Sequence, residues 1–495
     1  MDHATIVATL TEDVSAEALA ALPAEVGCLE VRADLTGDID AARLRQHFPG
    51  KLLYSLRSAQ EGGSCNLTNG ARRERLLRAA SQYDYVELAT YDLAPRTLAG
   101  IPKEQRVITW HGRTSTLEEL EARFAQLSSV EAALYGIVPR ATHSGEELAP
   151  LMLLQKLRRP DVFAYAEGRI ALWTRIAALH LGAPHVFGVL DSDINSHGAP
   201  PITRLISDYG LPRVDPATEL FGIAGNPVYR SLSPRLHNAA FRALGRKALY
   251  VPFHVEKFNE FWESIVASDA LDALGLPLRA VCVVSPYKAI AVGAANARTP
   301  IVQQARSTNF LLREGNCWTA DTTDPEGVLV TLRERGVDPA RQKVAVVGCG
   351  GSGRAIAAAL QQAGADVTLV NRGFDRGTFA IQLLHLPFLP LGGFSSDRFS
   401  IVVNATPVGG DGEELPFIVD AARKDAVVVD LVYGQRPTPL VAGARMAGQV
   451  AIDGKDVLLM QAQAQFRLMT GEEMPGGIAQ RMLGIETRAQ VAVGG

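Results

Sequence analysis

Eight short apolar, β-branched runs stand in the N-terminal part of the chain, at residues 5–10, 28–34, 51–57, 85–90, 106–112, 133–140, 162–168 and 185–191. Most are followed by a polar stretch with helical spacing, such as 72–82 and 117–127. Strands that read as near-continuous apolar runs are covered on both faces, which calls for helices between them and a parallel sheet. Eight such β-α units over residues 1–212 match a small (β/α)8 barrel. An open doubly wound sheet is the alternative that periodicity leaves standing.

A turn-rich linker with Pro212 and Pro216 follows, and then FGIAGNPVYRSLSPRLHNAAF, a strand, a loop and a helix. Near Lys343 the pattern becomes VAVVGCGGSGRAIAAAL, a strand, a glycine-rich turn and a helix, with further strands at 366–371, 401–405 and 426–431. The expected organisation is a barrel at 1–212, an α/β domain at 219–325 completed by C-terminal helices at 456–495, and a Rossmann-type domain at 326–455.

The glycines of the second half carry chemistry. Gly348, Gly350, Gly351 and Gly353, with Ser352 among them, lie between a strand and a helix. Glycine lets the backbone turn tightly and approach a pyrophosphate, and the helix N-terminus offers free N–H groups to it. About 20 residues on, where an NAD site places an acidic residue for the ribose, the chain reads Asn371, Arg372 and, nearby, Arg376. Guanidiniums there suit a 2′-phosphate, so the expected cofactor is NADP(H) rather than NAD.

Composition excludes other classes. The net charge is −4, from 49 basic and 53 acidic residues, which gives no electrostatic ground for nucleic acid as a partner. No apolar run approaches the roughly 20 residues that span a bilayer. The N-terminus lacks a basic, then apolar, leader. The five cysteines include no CxxC pair and no zinc spacing, so no metal site is expected and a reducing, cytoplasmic setting is.

The stretches GNPVYRSLSPRLHN, SPYK, DTTDPEG, GCGGSGRA, NRGFDR, NATPVGG, DLVYGQRPTPL and LLMQAQAQF, in that order, make the C-terminal half resemble the shikimate/quinate dehydrogenases. The resemblance implies NADP-dependent interconversion of 3-dehydroshikimate and shikimate. It places Lys288 and Asp324 as catalytic residues and Ser231 and Ser233 on the substrate carboxylate. Asn309, Tyr433, Gln461 and Gln465 fall near the ring hydroxyls, and Thr406 and Gly454 line the cofactor. A lysine held beside an aspartate can carry the proton that leaves the alcohol as hydride is lost. Three positions depart from the pattern. The threonine before the lysine is replaced by Val284, within Cys282–Ser285; the usual Asn-Thr-Asp reads Thr322, Thr323, Asp324; and Gly373 follows Asn371 and Arg372 where a threonine is usual. A quinate-preferring enzyme and a non-catalytic metabolite sensor therefore stay open.

The first half resembles type I 3-dehydroquinate dehydratase, through LEVRAD (Glu30, Arg32), SLRSAQEGG (Arg57), VITWHG (His111) and LWTRIAALHLGAPHVFG (Arg175). The whole chain thus resembles the bifunctional dehydratase/dehydrogenase fusion. In the dehydratase family a lysine on the sixth strand forms an imine with the substrate ketone, while a histidine takes the neighbouring proton. Here Gly136 holds the lysine's place, and the barrel's lysines, Lys51, Lys103 and Lys156, lie elsewhere. The lid motif reads SHGAPP and lacks its glutamine. A weak or inactive dehydratase barrel is the expectation, with full bifunctionality as the alternative.

Overall fold

The computed structural model describes residues 3–113, 116–190, 198–410, 412, 414–418 and 423–485. Part of the lid motif and the last residues of the 456–495 segment lie outside them. The chain falls into two compact units, Met1–Leu278 and Arg279–Gly495, so the division passes within the 219–325 stretch.

The first unit opens with β1 (Thr5–Leu10), β2 (Val26–Arg32), β3 (Lys51–Ser55), β4 (Tyr85–Leu88), β5 (Arg106–Arg113), β6 (Leu134–Arg140), β7 (Val162–Ala164) and β8 (His185–Val189). They form one parallel sheet in the order β7-β6-β5-β4-β3-β2-β1-β8, so the chain curls into an eight-stranded barrel rather than an open sheet. The β7–β8 seam carries no ladder among the described residues; there the rings of Phe163 and Phe187 meet at 5.2 Å. The strands are apolar on both faces because helices cover the outside and side chains fill the inside. Polar residues enter at the strand C-termini, among them Glu30, Glu87, Thr109 and His111. The seventh strand is shorter than the apolar run suggests. Beyond Ala164 the backbone bends, and Gly168 adopts φ +116°.

After the barrel the same unit adds β9 (Glu219–Gly225), paired in parallel with β10 (Ala248–His254), and the helix Ser233–Ala243 between them. Trp173 of a barrel helix packs edge-on against Phe253 of β10, 5.3 Å between ring centres. Beside Trp173 lies Glu147, 2% exposed, at the start of the helix Leu148–Leu157. Burial pushes its carboxyl up to about 7, and hydrogen bonds from the Gly145 amide (2.7 Å) and the Trp173 indole (3.4 Å) offset this only in part. Folding therefore takes up a proton between pH 4.5, the unfolded value, and pH 7. The protonated contribution is full below the first and lost as pH rises through the second. Glu147→Gln is expected to be stabler than the parent at pH 8 by on the order of 2 kcal/mol and nearly equal to it at pH 4.5. Urea unfolding at both pH values checks this; a difference between the two proteins that does not change with pH would refute it.

The second unit holds a mixed set, antiparallel except for one parallel pairing, and a doubly wound sheet. In the first, β11 (Leu278–Val283) pairs with β13 (Phe310–Glu314), which pairs with β14 (Cys317–Asp321); β14 also pairs, in parallel, with the short β12 (Ala297–Arg298). The second comprises β15 (Lys343–Val347), β16 (Asp366–Asn371), β17 (Phe388–Pro390), β18 (Ile401–Asn404), β19 (Val427–Asp430) and β20 (Val450–Ile452). It is wholly parallel, in the order β17-β16-β15-β18-β19-β20. Alternate residues of the valine-rich β15 feed opposite faces, with Val344 and Val346 in one apolar cluster and Ala345 and Val347 in the other. The strand order reverses between β15 and β18, and such sheets bind ligands at that crevice, beyond the strand C-termini. No helix among the described residues is long and apolar enough to cross a membrane.

Candidate active site

The glycine turn sits at that reversal point. Gly348 adopts φ +109°, and a Cβ on Gly353 would lie 1.8 Å from the Gly348 carbonyl oxygen. Neither position tolerates a side chain, because the first residues of the helix Gly351–Gln362 pass against the end of β15. Gly350 has open space where a Cβ would stand. The result is a backbone cradle at a helix N-terminus, suited to a pyrophosphate. Thr406, just past β18, closes its other side, with its methyl 2.9 Å from the Cβ position of Gly348. Its hydroxyl donates to Asn404.

Asn371 takes a more structural part than the sequence suggests. Its Oδ1 accepts from the Cys349 amide (3.2 Å) and its Nδ2 donates to the Gly373 carbonyl (2.8 Å), tying the glycine turn to the end of β16. Arg372 and Arg376 are exposed beside it, on the loop and first turn after β16. The nearby Arg354 is instead buried, spent on the carbonyls of Ala305, Arg306 and Cys349. Gly454 opens the helix Gly454–Thr470. A Cβ there would meet the Val432 carbonyl oxygen at 2.3 Å, so this helix starts hard against the loop that carries the half-buried Tyr433.

A polar cluster adjoins the cradle. The Lys288 ammonium donates to Asp324 Oδ2 at 2.6 Å and to Ser352 Oγ at 2.7 Å. Asp324 begins the helix Asp324–Glu334, where a carboxylate is favoured by the helix dipole, and its side chain is only 4% exposed. Its other oxygen accepts from Asn309 Nδ2 and Gln461 Nε2, both at 2.9 Å. Asn309 and Gln465 each donate to Thr323 Oγ1 at 3.0 Å. Lys288, Asp324, Asn309, Gln461 and Gln465 thus form one connected network, drawn from four separate chain segments. Sequence reading missed the Thr323 hydroxyl at its hub and the contact of Ser352 with the lysine. Val284 lies half-buried and Ser285 exposed in the turn before Lys288. Ser231 and Ser233 belong to the first unit, at the N-terminus of the helix Ser233–Ala243. The Ser231 hydroxyl accepts from the Ser233 amide at 3.2 Å, a cap-like bond.

In the barrel, Arg57 bridges two carboxylates, Glu30 (2.8 Å) and Glu87 (3.1 Å). Glu87 also accepts from Thr109 (2.8 Å) and contacts His111 Nε2 (3.1 Å). Burial opposes its charge, but Arg57 and His111 hold its carboxyl well below the usual range. His111 Nδ1 and Arg175 both approach Glu167 at 3.9 Å, and the Arg175 guanidinium lies over the Tyr165 ring. Arg32 turns away into a bidentate pair with Asp34. Glu87 and Glu167 were not read from the sequence; a glutamate inside the apolar run of β4 was the available signal. At Gly136 an added Cβ would meet the Phe163 ring at 2.4 Å and the Thr109 methyl at 2.9 Å. The room of a sixth-strand lysine is filled by Phe163. Lys51, Lys103 and Lys156 pair with Asp84, Glu131 and Glu121 respectively.

Residues 4–214 match the family model for type I 3-dehydroquinase, and residues 223–311 that for the shikimate dehydrogenase substrate binding domain. The bifunctional 3-dehydroquinate dehydratase/shikimate dehydrogenase of Arabidopsis thaliana chloroplasts is 26% identical over 480 residues, 90% of this chain and 78% of that protein. The shikimate dehydrogenase (NADP(+)) of Moorella thermoacetica is 36% identical over 284 residues, 55% of this chain and 94% of that protein. The crystal structure of shikimate 5-dehydrogenase from Thermus thermophilus with NADP(H) and shikimate is 27% identical, with a TM-score of 0.48, covering 54% of this chain and 98% of that one.

Proposed function

As this chain belongs to the shikimate dehydrogenase family, with a type I 3-dehydroquinase domain ahead of it, we propose that it oxidises shikimate reversibly to 3-dehydroshikimate with NADP+ and that its barrel is a silent dehydratase. The domain limits proposed are 1–212, 219–325 with 456–495, and 326–455. The observation that carries the dehydrogenase reading is Lys288 held between Asp324 and Ser352, at 2.6 and 2.7 Å, where Ser352 is part of the glycine turn.

NADP+, when bound, supplies the hydride acceptor. The Gly348–Gly353 cradle fits its pyrophosphate, and Arg372 and Arg376 stand free in solvent to take a 2′-phosphate. Lys288, as the neutral amine, receives the proton of the ring hydroxyl being oxidised and becomes the ammonium that Asp324 holds in place until the proton passes to solvent. In the reverse direction the same ammonium polarises the ketone and returns the proton. Asn309, Gln461 and Tyr433 contact the ring hydroxyls, Gln465 fixes Thr323 behind them, and Ser231 and Ser233 hold the carboxylate. The five free cysteines fit a cytoplasmic enzyme.

Steady-state reduction of NADP+ and NAD+ with shikimate and with quinate tests this. Shikimate with NADP+ is expected to be the best pair, and the double change Arg372→Ala, Arg376→Ala to raise KM for NADP+ by about ten-fold or more without altering KM for NAD+. Because Val284 supplies no hydroxyl, the quinate rate is the informative second number. No turnover of either acid by folded protein that binds NADP+ would leave the sensor reading in its place.

A further inference from the structure

We propose that the last barrel helix, Ile202–Tyr209, positions the serine turn of the dehydrogenase, with Arg204 and Asp208 as positioning residues for binding of the substrate carboxylate. This rests on the reading that Ser231 and Ser233 hold that carboxylate. All of these residues lie in the first compact unit.

Asp208 is 1% exposed, and a carboxylate taken out of water must be paired. It accepts from Arg204 Nε at 2.7 Å, from Arg235 Nε at 2.9 Å and from the Ser207 hydroxyl at 2.8 Å. Arg204 projects from the same barrel helix, and its second nitrogen donates to the main-chain oxygen of Ser231 at 2.6 Å. Arg235 stands two residues past Ser233 on the dehydrogenase helix, and its second nitrogen donates to Ser207 at 2.9 Å. One buried carboxylate therefore fixes both sides of the turn: Ser231 through Arg204, and the helix that begins at Ser233 through Arg235.

Arginine suits this task because its planar fork serves two acceptors in fixed directions, which a lysine ammonium cannot match. Two hydroxyls recognise one carboxylate only if their oxygens converge, and a small displacement of one loses the arrangement. The groups that bind are on the dehydrogenase side and the groups that aim them are on the barrel. A barrel without an imine lysine thus still contributes to the reaction of its neighbour.

The test is a double-mutant cycle on the full chain with Arg204→Leu and Ser231→Ala, read as KM for shikimate, KM for NADP+ and kcat. Each single change is expected to raise KM for shikimate by about ten-fold, with kcat and KM for NADP+ within about two-fold of the parent. Arg204→Lys keeps the charge beside Asp208 and is expected to fall between; it also serves if the leucine variant does not fold. Together the two changes should cost little more than Ser231→Ala alone, because the arginine acts through that serine. Fully additive effects, or an unchanged KM in both Arg204 variants while Ser231→Ala raises it, would overturn the proposal and leave the serine assignment intact. An unchanged KM in Ser231→Ala would remove the serine assignment and the proposal with it.

Discussion

Lys288→Ala is expected to lower kcat for shikimate oxidation by roughly 10²- to 10⁴-fold, the range for loss of a positioned acid–base group, with NADP+ affinity little changed. The expectation follows from where the ammonium is held. It has two short contacts, to Asp324 and to Ser352, and its side chain is 15% exposed, so it is neither a freely solvated lysine nor a buried one. Alanine leaves Asp324 with its two amide donors and no cation. Asp324→Asn tests the other half of the pair. It keeps the size but turns an acceptor of three hydrogen bonds into a group with its own N–H donors, facing Lys288 or the amides of Asn309 and Gln461. A loss of similar order in kcat is expected, with little change for the pair of substitutions beyond either alone. Steady-state kinetics in both directions, with NADP+ binding measured separately, decides the matter. Retention of more than about a tenth of kcat in Lys288→Ala would show that the proton leaves by another route.

What the sequence disclosed and what it withheld divide along physical lines. The apolar runs named the eight barrel strands, because strands covered on both faces leave a continuous apolar signature. They could not distinguish a closed barrel from an open sheet, since closure depends on shear and on how the seam is filled. Here the seam is filled by Phe163 and Phe187, two residues ordinary in any apolar strand. The glycine cradle was legible because Gly348 and Gly353 meet steric demands no other residue satisfies. Asn371 stands at the spacing of a cofactor contact, and its side chain also bonds two main-chain groups; spacing shows that a residue is near a site but not what else its side chain holds. The Thr323 hub and the Glu167 carboxylate were silent for a related reason, and Glu87 showed only as a charge inside an apolar run. Their contacts join segments far apart in the chain, and the local sequence carries no trace of such partners.

The barrel is expected to give no measurable conversion of 3-dehydroquinate to 3-dehydroshikimate in the absence of NADP(H), and no adduct when 3-dehydroquinate and borohydride are added together. His111 lies 3.1 Å from Glu87, but even with a base there, abstraction of a proton next to a ketone needs an electron sink, which in the type I dehydratases is an imine. The lysine cannot be put back by one substitution. In Gly136→Lys the new Cβ would fall 2.4 Å from the Phe163 ring, which itself rests on Phe187 and Tyr165. Overpacking of this kind costs about 1–3 kcal/mol, so the single variant is expected to be less stable than the parent and still inactive. Phe163→Ala alone removes a buried ring and is expected to cost about 3–5 kcal/mol through the cavity it leaves. Combined, the changes offset each other, since the lysine stem enters the space the ring vacates; the double variant is expected to be stabler than Phe163→Ala and to form the borohydride-trapped adduct. Denaturant unfolding and intact-mass analysis measure both outcomes. Dehydration by the parent protein above the uncatalysed rate would show a route without the imine, and the chain would then be bifunctional despite Gly136.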